Sequence, residues 1–513
     1  SALMYAMVFM ACFGVLHFMK KLMEPAGPVQ TEATTKGPGP ASAGDDHRKR
    51  PEDGTEDSRA KTATDSQAEK PEEVIREEGY TGWKKQFPGL WTPPQDTQEP
   101  YVPPKLVLAT DLHYQSAQAG DGGPAFQLFV ERSDGKVIQY LPELLEAFLD
   151  EVIEEKPSAL VLSGDITMNG ERMNHEELAA RLKRVQDAGI QVLVIPGNHD
   201  INNKNAASFD GRSRQQAESI TGDEFAENYN DFGYEEALSR DPASLSYTYD
   251  LGPDMRLLML DSCQYSPTNK VGGMIKTETY DWIDDQLEKA WEDGVILLPV
   301  AHHNLLDESK VYVEDCTIEH SEELVNRLEE ANIPLFLSGH LHVQHYMRDE
   351  EGRGIYEIVT SSLSTPPCQY GVLEYRDDET FSYHTKQVDM EKWARKHKST
   401  DENLLNFNTY ALATLNTIFY NQAYDAMKDS AEEEKGDIFV KLTKAEKEQM
   451  SEVYAQLNAA CYSGKAYEVV NYATRTAAYK MWQEYCYPMV LFEYLEYIVE
   501  DAVKDYNYLE VND

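Results

Sequence analysis

Basic residues are scarce in this sequence relative to acidic ones. The 513 residues include 47 Lys and Arg against 90 Asp and Glu, which gives a formal net charge of -43. Such a surface repels nucleic acid and anionic lipid over most of its area, so nucleic acid is not expected as a partner. A phosphorylated substrate would need a local positive centre, and a bound metal ion is the obvious source of one.

Cysteine is also sparse, with six residues in the whole chain. No CxxC or CxxH spacing occurs, which leaves a structural zinc site or a redox pair without support. One cysteine, Cys12, lies in the apolar leader, and the remaining five are an odd number at wide spacing. The pattern therefore does not favour a disulfide framework.

The N-terminal end has an apolar stretch followed by a segment without aromatic residues. About eighteen mostly apolar residues precede Lys20 and Lys21, a length that favours a membrane anchor or an export signal. We predict this role for residues 1–23, with Cys12 as a candidate for lipidation; a buried N-terminal helix is the alternative. Residues 24–75 cannot bury enough apolar surface to fold, which predicts a disordered linker. A lead-in segment, residues 76–104, follows.

From Lys105 onward, short apolar runs alternate with amphipathic stretches. The runs are KLVLAT, ALVLSG, VLVIPG, RLLMLD, ILLPVA and PLFLSG. The amphipathic stretches are 141–154, 175–188 and 278–291. This alternation, with a more β-like tail, predicts an α/β domain over residues 105–390.

Beyond Met390 the pattern turns wholly helical. The expected helices are 402–428, 444–461, 465–484 and 489–505, and Thr443 with Glu446 forms a capping box at the start of the second. We therefore predict a C-terminal all-α helical bundle domain over residues 391–513.

Polar residues follow five of the strand-like runs, where α/β enzymes collect their chemistry. They are Asp111 and His113 in LATDLHY, Asp165 in LSGDITMNG, Asn198, His199 and Asp200 in PGNHD, His302 and His303 in PVAHHN, and His340 and His342 in SGHLHV. An Asp-x-His pair in an extended segment sends both side chains to one face. Carboxylate, imidazole and amide ligands suit two adjacent divalent cations such as Mn, Fe or Zn, and one carboxylate can bridge them.

These blocks, in this order, resemble the calcineurin-like metallophosphoesterase superfamily over about residues 105–390. The resemblance implies a four-layer β-sandwich flanked by helices and a dinuclear metal site. The implied ligands are Asp111, His113, Asp165 and His342 for one metal, and Asp165, Asn198, His302 and His340 for the other, with Asp165 bridging.

The same resemblance implies a role for His199, and the other polar residues have expected roles of their own. His199 would protonate the leaving oxygen or stabilise the transition state, which suits its near-neutral pKa. Asp200 would orient that imidazole or cap the turn, and His303 would lie behind the ligands. His175 and His320 are interpreted as ordinary surface residues.

The wider pattern, with its helical C-terminal region, resembles a secreted bacterial subgroup of class III cyclic-nucleotide phosphodiesterases. It implies hydrolysis of a small phosphate ester, a cyclic nucleotide such as cAMP or cGMP, by attack of a metal-bound hydroxide at a bacterial cell surface. One alternative is a broad phosphomonoesterase or phospholipid-type diesterase on the same site. The other is a non-catalytic metal-fold scaffold whose helical bundle binds a partner.

The segment after LATDLHY is long and rich in glycine. It shows no strong helical or strand period before Phe126. A long loop beside metal ligands is either a lid over the substrate or an exposed insertion. As a lid, its Phe126, Phe129 and Tyr140 would offer a base an apolar wall.

Overall fold

The computed structural model describes residues 102–350, 354–376, 380–432, 441–486 and 490–512. The predicted N-terminal anchor (1–23), the linker (24–75) and nearly all of the lead-in segment (76–104) lie outside these residues. Within the described ranges, no helix is both long enough and apolar enough to span a bilayer.

The apolar runs form strands. In chain order these are β1 Lys105–Ala109, β2 Ala159–Ser163, β3 Gln191–Ile195, β4 Ala207–Asp210, β5 Ser213–Gln216, β6 Ser239–Arg240, β7 Tyr247–Asp250, β8 Met255–Met259, β9 Ile296–Val300, β10 Leu335–Ser338, β11 His345–Arg348, β12 Tyr356–Val359, β13 Gln369–Tyr375, β14 Thr380–Gln387 and β15 Tyr508–Asn512. All six of the runs identified in the sequence are strands: β1, β2, β3, β8, β9 and β10.

Among the described residues, two large sheets contain all but one pair of these strands. One has the order β15-β14-β13-β1-β2-β3 and the other β11-β12-β10-β9-β8-β7-β6, while β4 and β5 form a separate hairpin. The β1-β2-β3 strands are parallel, and so are β8, β9, β10 and β12. The carboxyl ends of parallel neighbours meet at one edge of a sheet, so the polar segments that follow them are brought together.

The two sheets pack on a shared core. The alternation of side chains along β8 shows this. In β8, Leu257 and Met259 belong to the same buried cluster as the residues of β1, β2 and β3. Leu258, between them, belongs to a second cluster with Ile283 and Leu324. Successive side chains of a strand point to opposite faces, so one face of this sheet packs on the other sheet and its opposite face packs on helices.

The helices, in chain order, are α1 Pro124–Glu131, α2 Leu141–Glu155, α3 Arg172–Asp187, α4 Gly222–Asn228, α5 Thr277–Asp293, α6 Ser321–Glu330, α7 Met390–Lys396, α8 Glu402–Leu405, α9 Phe407–Glu432, α10 Lys444–Tyr462, α11 Ala466–Ala473, α12 Ala477–Tyr485 and α13 Val490–Asp501. Ile283 lies in α5 and Leu324 in α6, which cover the second sheet. The predicted fold class, an α/β sandwich flanked by helices with a C-terminal helical region, is confirmed.

Helices α9 to α13 supply most of a further buried cluster, to which Leu341 and Val359 also belong, whereas Met390 of α7 and Leu404 of α8 belong to the cluster of β1, β2 and β3. Trp482 is fully buried in that further cluster and donates from Nε1 to the Met450 carbonyl at 2.9 Å. The capping box of Thr443 and Glu446 at the start of α10 is present. The single helix expected over 465–484 is divided into α11 and α12, because Thr476 caps a new helix by accepting from the Tyr479 amide.

The expectation that everything beyond Met390 is helical is wrong at the end of the chain. Residues of β15 pair antiparallel with β14, with Phe381 opposite Val511 and Tyr383 opposite Leu509. Leu509 and Val511 are buried, whereas Tyr508 is 51% exposed. This alternation has a period of two, and the strand covers a sheet edge that would otherwise be unpaired.

Candidate metal centre

The predicted ligands lie at the carboxyl ends of the parallel strands. Five of them have a backbone φ in the left-handed region although none is glycine: Asp111, His113, Asp165, His340 and His342, with φ of 52°, 42°, 47°, 71° and 61°. Such conformations are costly for non-glycine residues and cluster at functional sites. The side chains therefore converge through tight left-handed turns, and the extended Asp-x-His geometry expected from the strand period is wrong.

Asp111, His113 and His342 form the first cluster. His342 Nε2 lies 3.0 Å from Asp111 Oδ1 and 3.3 Å from His113 Nε2. The other carboxylate oxygen, Asp111 Oδ2, accepts hydrogen bonds from the Thr110 hydroxyl at 2.7 Å and the His340 amide at 3.0 Å. Asp111 Oδ1 is buried and, within the described part of the chain, makes no hydrogen bond of good geometry. A bound cation fits this arrangement, because it would satisfy that oxygen and both imidazole nitrogens.

The second cluster contains Asp165, Asn198, His302 and His340. His302 Nε2 lies 3.1 Å from Asn198 Oδ1, 3.4 Å from Asp165 Oδ2 and 3.2 Å from His340 Nδ1. The opposite ring nitrogens are held by carbonyls: His302 Nδ1 donates to Ser163 at 2.9 Å, and His340 Nε2 donates to Asp315 at 2.9 Å. This fixes the proton on the outer nitrogen and leaves the inner lone pair for a cation.

Asp165 connects the two clusters. Its Oδ2 lies 3.4 Å from His302 Nε2 in one cluster and 3.8 Å from His113 Nε2 in the other, and its Oδ1 accepts from the His199 amide at 2.7 Å. A Cβ atom on Gly197 would lie 2.1 Å from the Asp165 amide nitrogen and 2.2 Å from Oδ1. Only glycine therefore allows the third strand-end turn to approach this carboxylate.

The carboxylates remain ionised in this buried setting. Burial disfavours their charge, but the facing imidazoles, His342 for Asp111 and His302 for Asp165, hold both carboxyl pKa values well below their usual range. Burial likewise opposes charge on His302, and the Asp165 carboxylate overcomes it and raises the pKa of His302 to about 9, so a cation bound at the inner nitrogen would replace a proton there. Negative charge concentrated among imidazoles is what a divalent cation requires.

His199 lies beside both clusters with one nitrogen already engaged. Its Nδ1 is 2.8 Å from the Met168 carbonyl and 3.1 Å from Asn169 Oδ1, while Nε2 is 3.9 Å from Asp165 Oδ2. Its ring meets the His113 ring edge-on, with centroids 4.8 Å apart. The imidazole thus presents Nε2 to the centre, a position from which it can exchange a proton.

Asp200 caps the turn and does not contact the His199 ring. Its carboxylate accepts from the Gly197 amide at 2.8 Å, the Ile166 amide at 3.2 Å, and the Thr167 amide and hydroxyl at 2.9 and 2.7 Å. Asp200 therefore caps the turn rather than orienting the His199 imidazole by direct contact. It ties the loop carrying His199 to the loop carrying Asp165.

His303 lies behind the second cluster. Its Nδ1 is 2.8 Å from the Ser262 hydroxyl and its Nε2 is 2.8 Å from the Val271 carbonyl, so both nitrogens are engaged by the protein. Its ring packs on His340 with centroids 4.5 Å apart. This placement agrees with a supporting position rather than that of a ligand.

The interpretation of His175 as a surface residue is wrong. It is fully buried, with Nε2 2.9 Å from the Asp200 carbonyl and Nδ1 2.8 Å from the Tyr229 hydroxyl. Burial lowers the pKa of His175 to about 3, so it supports the PGNHD turn as a neutral ring. His320 is exposed, as expected.

Several supporting residues carry no motif that reveals them. Asn269 donates from Nδ2 to the Asn198 and Ile201 carbonyls at 2.7 and 2.9 Å, and it comes from a loop without a recognisable pattern. Ser362 and Ser364 both donate to the Asp111 carbonyl at 2.9 Å. The polar run SSLST after β12 was the available signal for these two serines.

The three aromatic residues expected to form one apolar wall lie in two different places. Residues from Pro124 form α1, where Phe126 and Phe129 pack on Phe209 of the β4-β5 hairpin, with ring centroids 5.7 and 4.8 Å apart. Tyr140 instead contacts Tyr410 of α9, with centroids 5.3 Å apart. Aromatic packing therefore ties the first two to the hairpin and the third to the helical region.

Comparison with known proteins gives two family matches. Residues 104–344 match the family described as calcineurin-like phosphoesterase, and residues 389–505 match the C-terminal domain of cyclic nucleotide phosphodiesterase. No curated protein sequence matches the chain.

Solved structures that match the chain include a dimetal phosphatase from Danio rerio and a purple acid phosphatase from yellow lupin seeds. The first is 15% identical over 56% of this chain and 97% of its own, with a TM-score of 0.41. The second is 15% identical over 56% of this chain and 52% of its own, with a TM-score of 0.36.

Proposed function

This chain combines a calcineurin-like phosphoesterase domain with the C-terminal domain of cyclic nucleotide phosphodiesterases, and we propose that it is a dinuclear phosphodiesterase that hydrolyses cyclic nucleotides. That it is a hydrolase of phosphate esters follows from the family. The observation that carries the proposal of a two-metal centre is the position of Asp165 Oδ2, within 4 Å of an imidazole nitrogen in each ligand cluster.

The proposed metal ligands fall into two overlapping sets. They are Asp111, His113, Asp165 and His342 for one cation, and Asp165, Asn198, His302 and His340 for the other. Two divalent cations, of a kind such as Mn, Fe or Zn, supply Lewis acidity toward the phosphate and lower the pKa of water.

Residues of the chain orient the groups of the site and supply a proton to the departing ester oxygen. The Met168 carbonyl accepts a hydrogen bond from His199 Nδ1 and orients the ring, so Nε2 faces the departing ester oxygen and delivers a proton to it from the protonated ring. Asp200 keeps that imidazole in place indirectly, because its four hydrogen bonds fix the turn on which His199 sits. The Ser163 and Asp315 carbonyls hold the outer ring nitrogens of His302 and His340 and so orient these two imidazoles.

A cyclic diester is proposed as the substrate because the helical region matches a domain named for cyclic nucleotide phosphodiesterases. The broad phosphomonoesterase or phospholipid-type diesterase uses the same site and is the alternative. A scaffold without catalysis is disfavoured, because both ligand clusters are complete.

Substrate comparison separates these possibilities. Protein reconstituted with Mn, Fe or Zn is assayed on cAMP, cGMP, bis-p-nitrophenyl phosphate and p-nitrophenyl phosphate. His199→Ala serves as the variant of reduced activity and His320→Ala, at an exposed histidine away from the centre, as its control. A higher kcat/KM on the diesters supports the proposal. Activity on the mono-ester alone contradicts it, and full metal content with no hydrolysis would indicate the scaffold.

We also propose that the enzyme works at a bacterial cell surface, held by residues 1–23 on the linker of residues 24–75. The support is the apolar sequence of the first segment and the low apolar content of the second. Membrane fractionation of the full chain against a chain lacking residues 1–23 tests this, and equal recovery of both in the soluble fraction contradicts it.

A further inference from the structure

A short loop between α1 and α2, residues 132–140, reaches the metal centre through a serine. The Val137 amide donates to the Ser364 carbonyl at 2.9 Å, and the Ser364 hydroxyl donates to the Asp111 carbonyl at 2.9 Å. The residue before Val137 is Lys136. The loop is therefore fixed one hydrogen-bonded residue away from a proposed metal ligand.

Lys136 is a nearly buried cation in a strongly acidic protein. Its side chain is 6% exposed, and its Nζ donates a hydrogen bond to the Asp134 carboxylate. An ammonium has three N–H donors, and no second acceptor for it is present in the described part of the chain. Burying such a charge is costly, and a carboxylate that engages one donor offsets only part of that cost.

The charge of Lys136 acts on the centre itself. Burial and then Lys136 lower the pKa of His113, to about 3. Burial also lowers the pKa of His199, and Lys136 adds to that effect against the Asp165 carboxylate. The carboxyl of Asp134 is in turn held at a lowered pKa, against burial, by Lys136 and His342. The hydrogen bonds from Val137 to Ser364 and from Ser364 to Asp111 place the loop that carries this ion pair beside the first cluster.

The C-terminal helices hold this loop from outside. Gly135 has a φ of 106°, and a Cβ atom there would lie 2.5 Å from Leu415 of α9. The Gln139 side chain is hydrogen-bonded to the Tyr410 hydroxyl, and Asn403 donates to the Tyr140 hydroxyl at 3.0 Å. The helical region therefore fixes the backbone on both sides of Lys136.

We propose that Lys136 is a phosphate-binding residue of this site, whose ammonium takes a phosphate oxygen of the substrate or of released phosphate while Asp134 holds it in place. This rests on the proposed function. Lysine binds phosphate as a point charge, and a fixed positive charge placed where negative charge develops stabilises the transition state. The contribution of α9 is to position the loop that carries the lysine.

Calorimetric titration of inorganic phosphate into the Mn-loaded full chain tests this without turnover. Lys136→Met should weaken phosphate binding by about tenfold to a hundredfold, the range for a lost hydrogen bond to a charged group. Lys136→Arg should recover much of the affinity. Lys183→Met is the matched control, since Lys183 also pairs with an aspartate, Asp187, but is 61% exposed on α3. Equal affinity in Lys136→Met and Lys183→Met would overturn the proposal.

A purely structural ion pair is distinguished by a double variant. Lys136→Met alone leaves the Asp134 carboxylate, whose side chain is 15% exposed, without its cation and should lower the melting temperature. Asp134→Asn combined with Lys136→Met removes both charges and should restore the melting temperature while phosphate binding stays weak. If the double variant also regains the wild-type phosphate affinity, the lysine is structural and the proposal is wrong.

The same measurements keep the two proposals apart. Wild-type protein that binds phosphate through Lys136 but hydrolyses no ester contradicts the proposed function and supports the phosphate-binding role. Wild-type protein that hydrolyses diesters, with phosphate affinity unchanged in Lys136→Met, overturns the role of Lys136 alone.

Discussion

Replacing Asp200 with alanine separates a turn-capping role from a catalytic one. The carboxylate is fully buried and accepts three backbone amides and one hydroxyl, from Ile166, Thr167 and Gly197. Without it, three buried N–H groups lose their acceptor, at about 1–3 kcal/mol each. The sum, roughly 3–9 kcal/mol, is comparable with the whole stability of about 5–15 kcal/mol of a typical folded protein.

The expected result is therefore a large loss of stability with loss of metal binding. At about 2–4 °C per kcal/mol, Asp200→Ala should lower the melting temperature by more than about 6 °C. Asp200→Asn, which keeps one oxygen acceptor, should fall between this variant and wild type. Asp210→Ala, at an exposed aspartate of β4, is the control and should melt as wild type does.

Thermal unfolding at a fixed scan rate, metal analysis of the purified variants and kinetics on two leaving groups measure these effects. A capping role for Asp200 is refuted if Asp200→Ala has the melting temperature of Asp210→Ala, keeps its metal and loses kcat chiefly on substrates with poor leaving groups. That combination would make Asp200 a group that acts through the His199 imidazole.

Three further perturbations test the centre and the contact between its two parts. Asp165→Asn should leave a folded protein with less than a full metal complement and almost no hydrolysis, since an amide cannot balance two cations; metal analysis with kinetics checks it. His199→Ala should keep its metal and lose about 10²–10⁴ in kcat, with a smaller loss for p-nitrophenyl esters, and a lost metal would instead make it a ligand. His345 lies between Glu308 and Asp501 of α13; burial opposes its charge, but these carboxylates raise the pKa of His345 to about 9, above an unfolded value of about 6.5. The stability from this contact is thus full below about pH 6.5 and is lost as pH rises toward 9, so the melting temperature should fall over that window in wild type and less in His345→Gln; equal pH dependence in both contradicts it.

Residues close together in sequence carried the information that could be read without a structure. Buried parallel strands are nearly continuous apolar runs, and each run ends where a polar block begins. Asp111, Asp165 and Asn198 could therefore be placed at strand ends, and the α/β class with a helical C-terminal region followed from changes in period. The Thr443 capping box was likewise a local pattern that the structure contains.

Contacts between distant segments could not be read in this way. Asp200 accepts hydrogen bonds from amides 33 and 34 residues earlier in the chain. The neighbouring PGNHD residues did not indicate whether this carboxylate caps the turn or orients the His199 imidazole. His175 is buried because α3 packs over that turn, although a histidine at the start of a helix is usually exposed. A hydrogen-bond partner depends on where whole elements lie, and a local pattern does not encode that position.

The sequence by itself determined the strand ends, the residue types gathered there and the glycine that lets two of the turns meet. Only the tertiary structure decided how they converge, through left-handed turns at Asp111 and His113, and that β15 returns to the sheet edge. It also decided that Leu415 of α9 packs against Gly135 in the loop of Lys136, some 280 residues earlier in the chain. The physical reason is that apolar periodicity specifies which face of an element is buried but leaves open which element covers it.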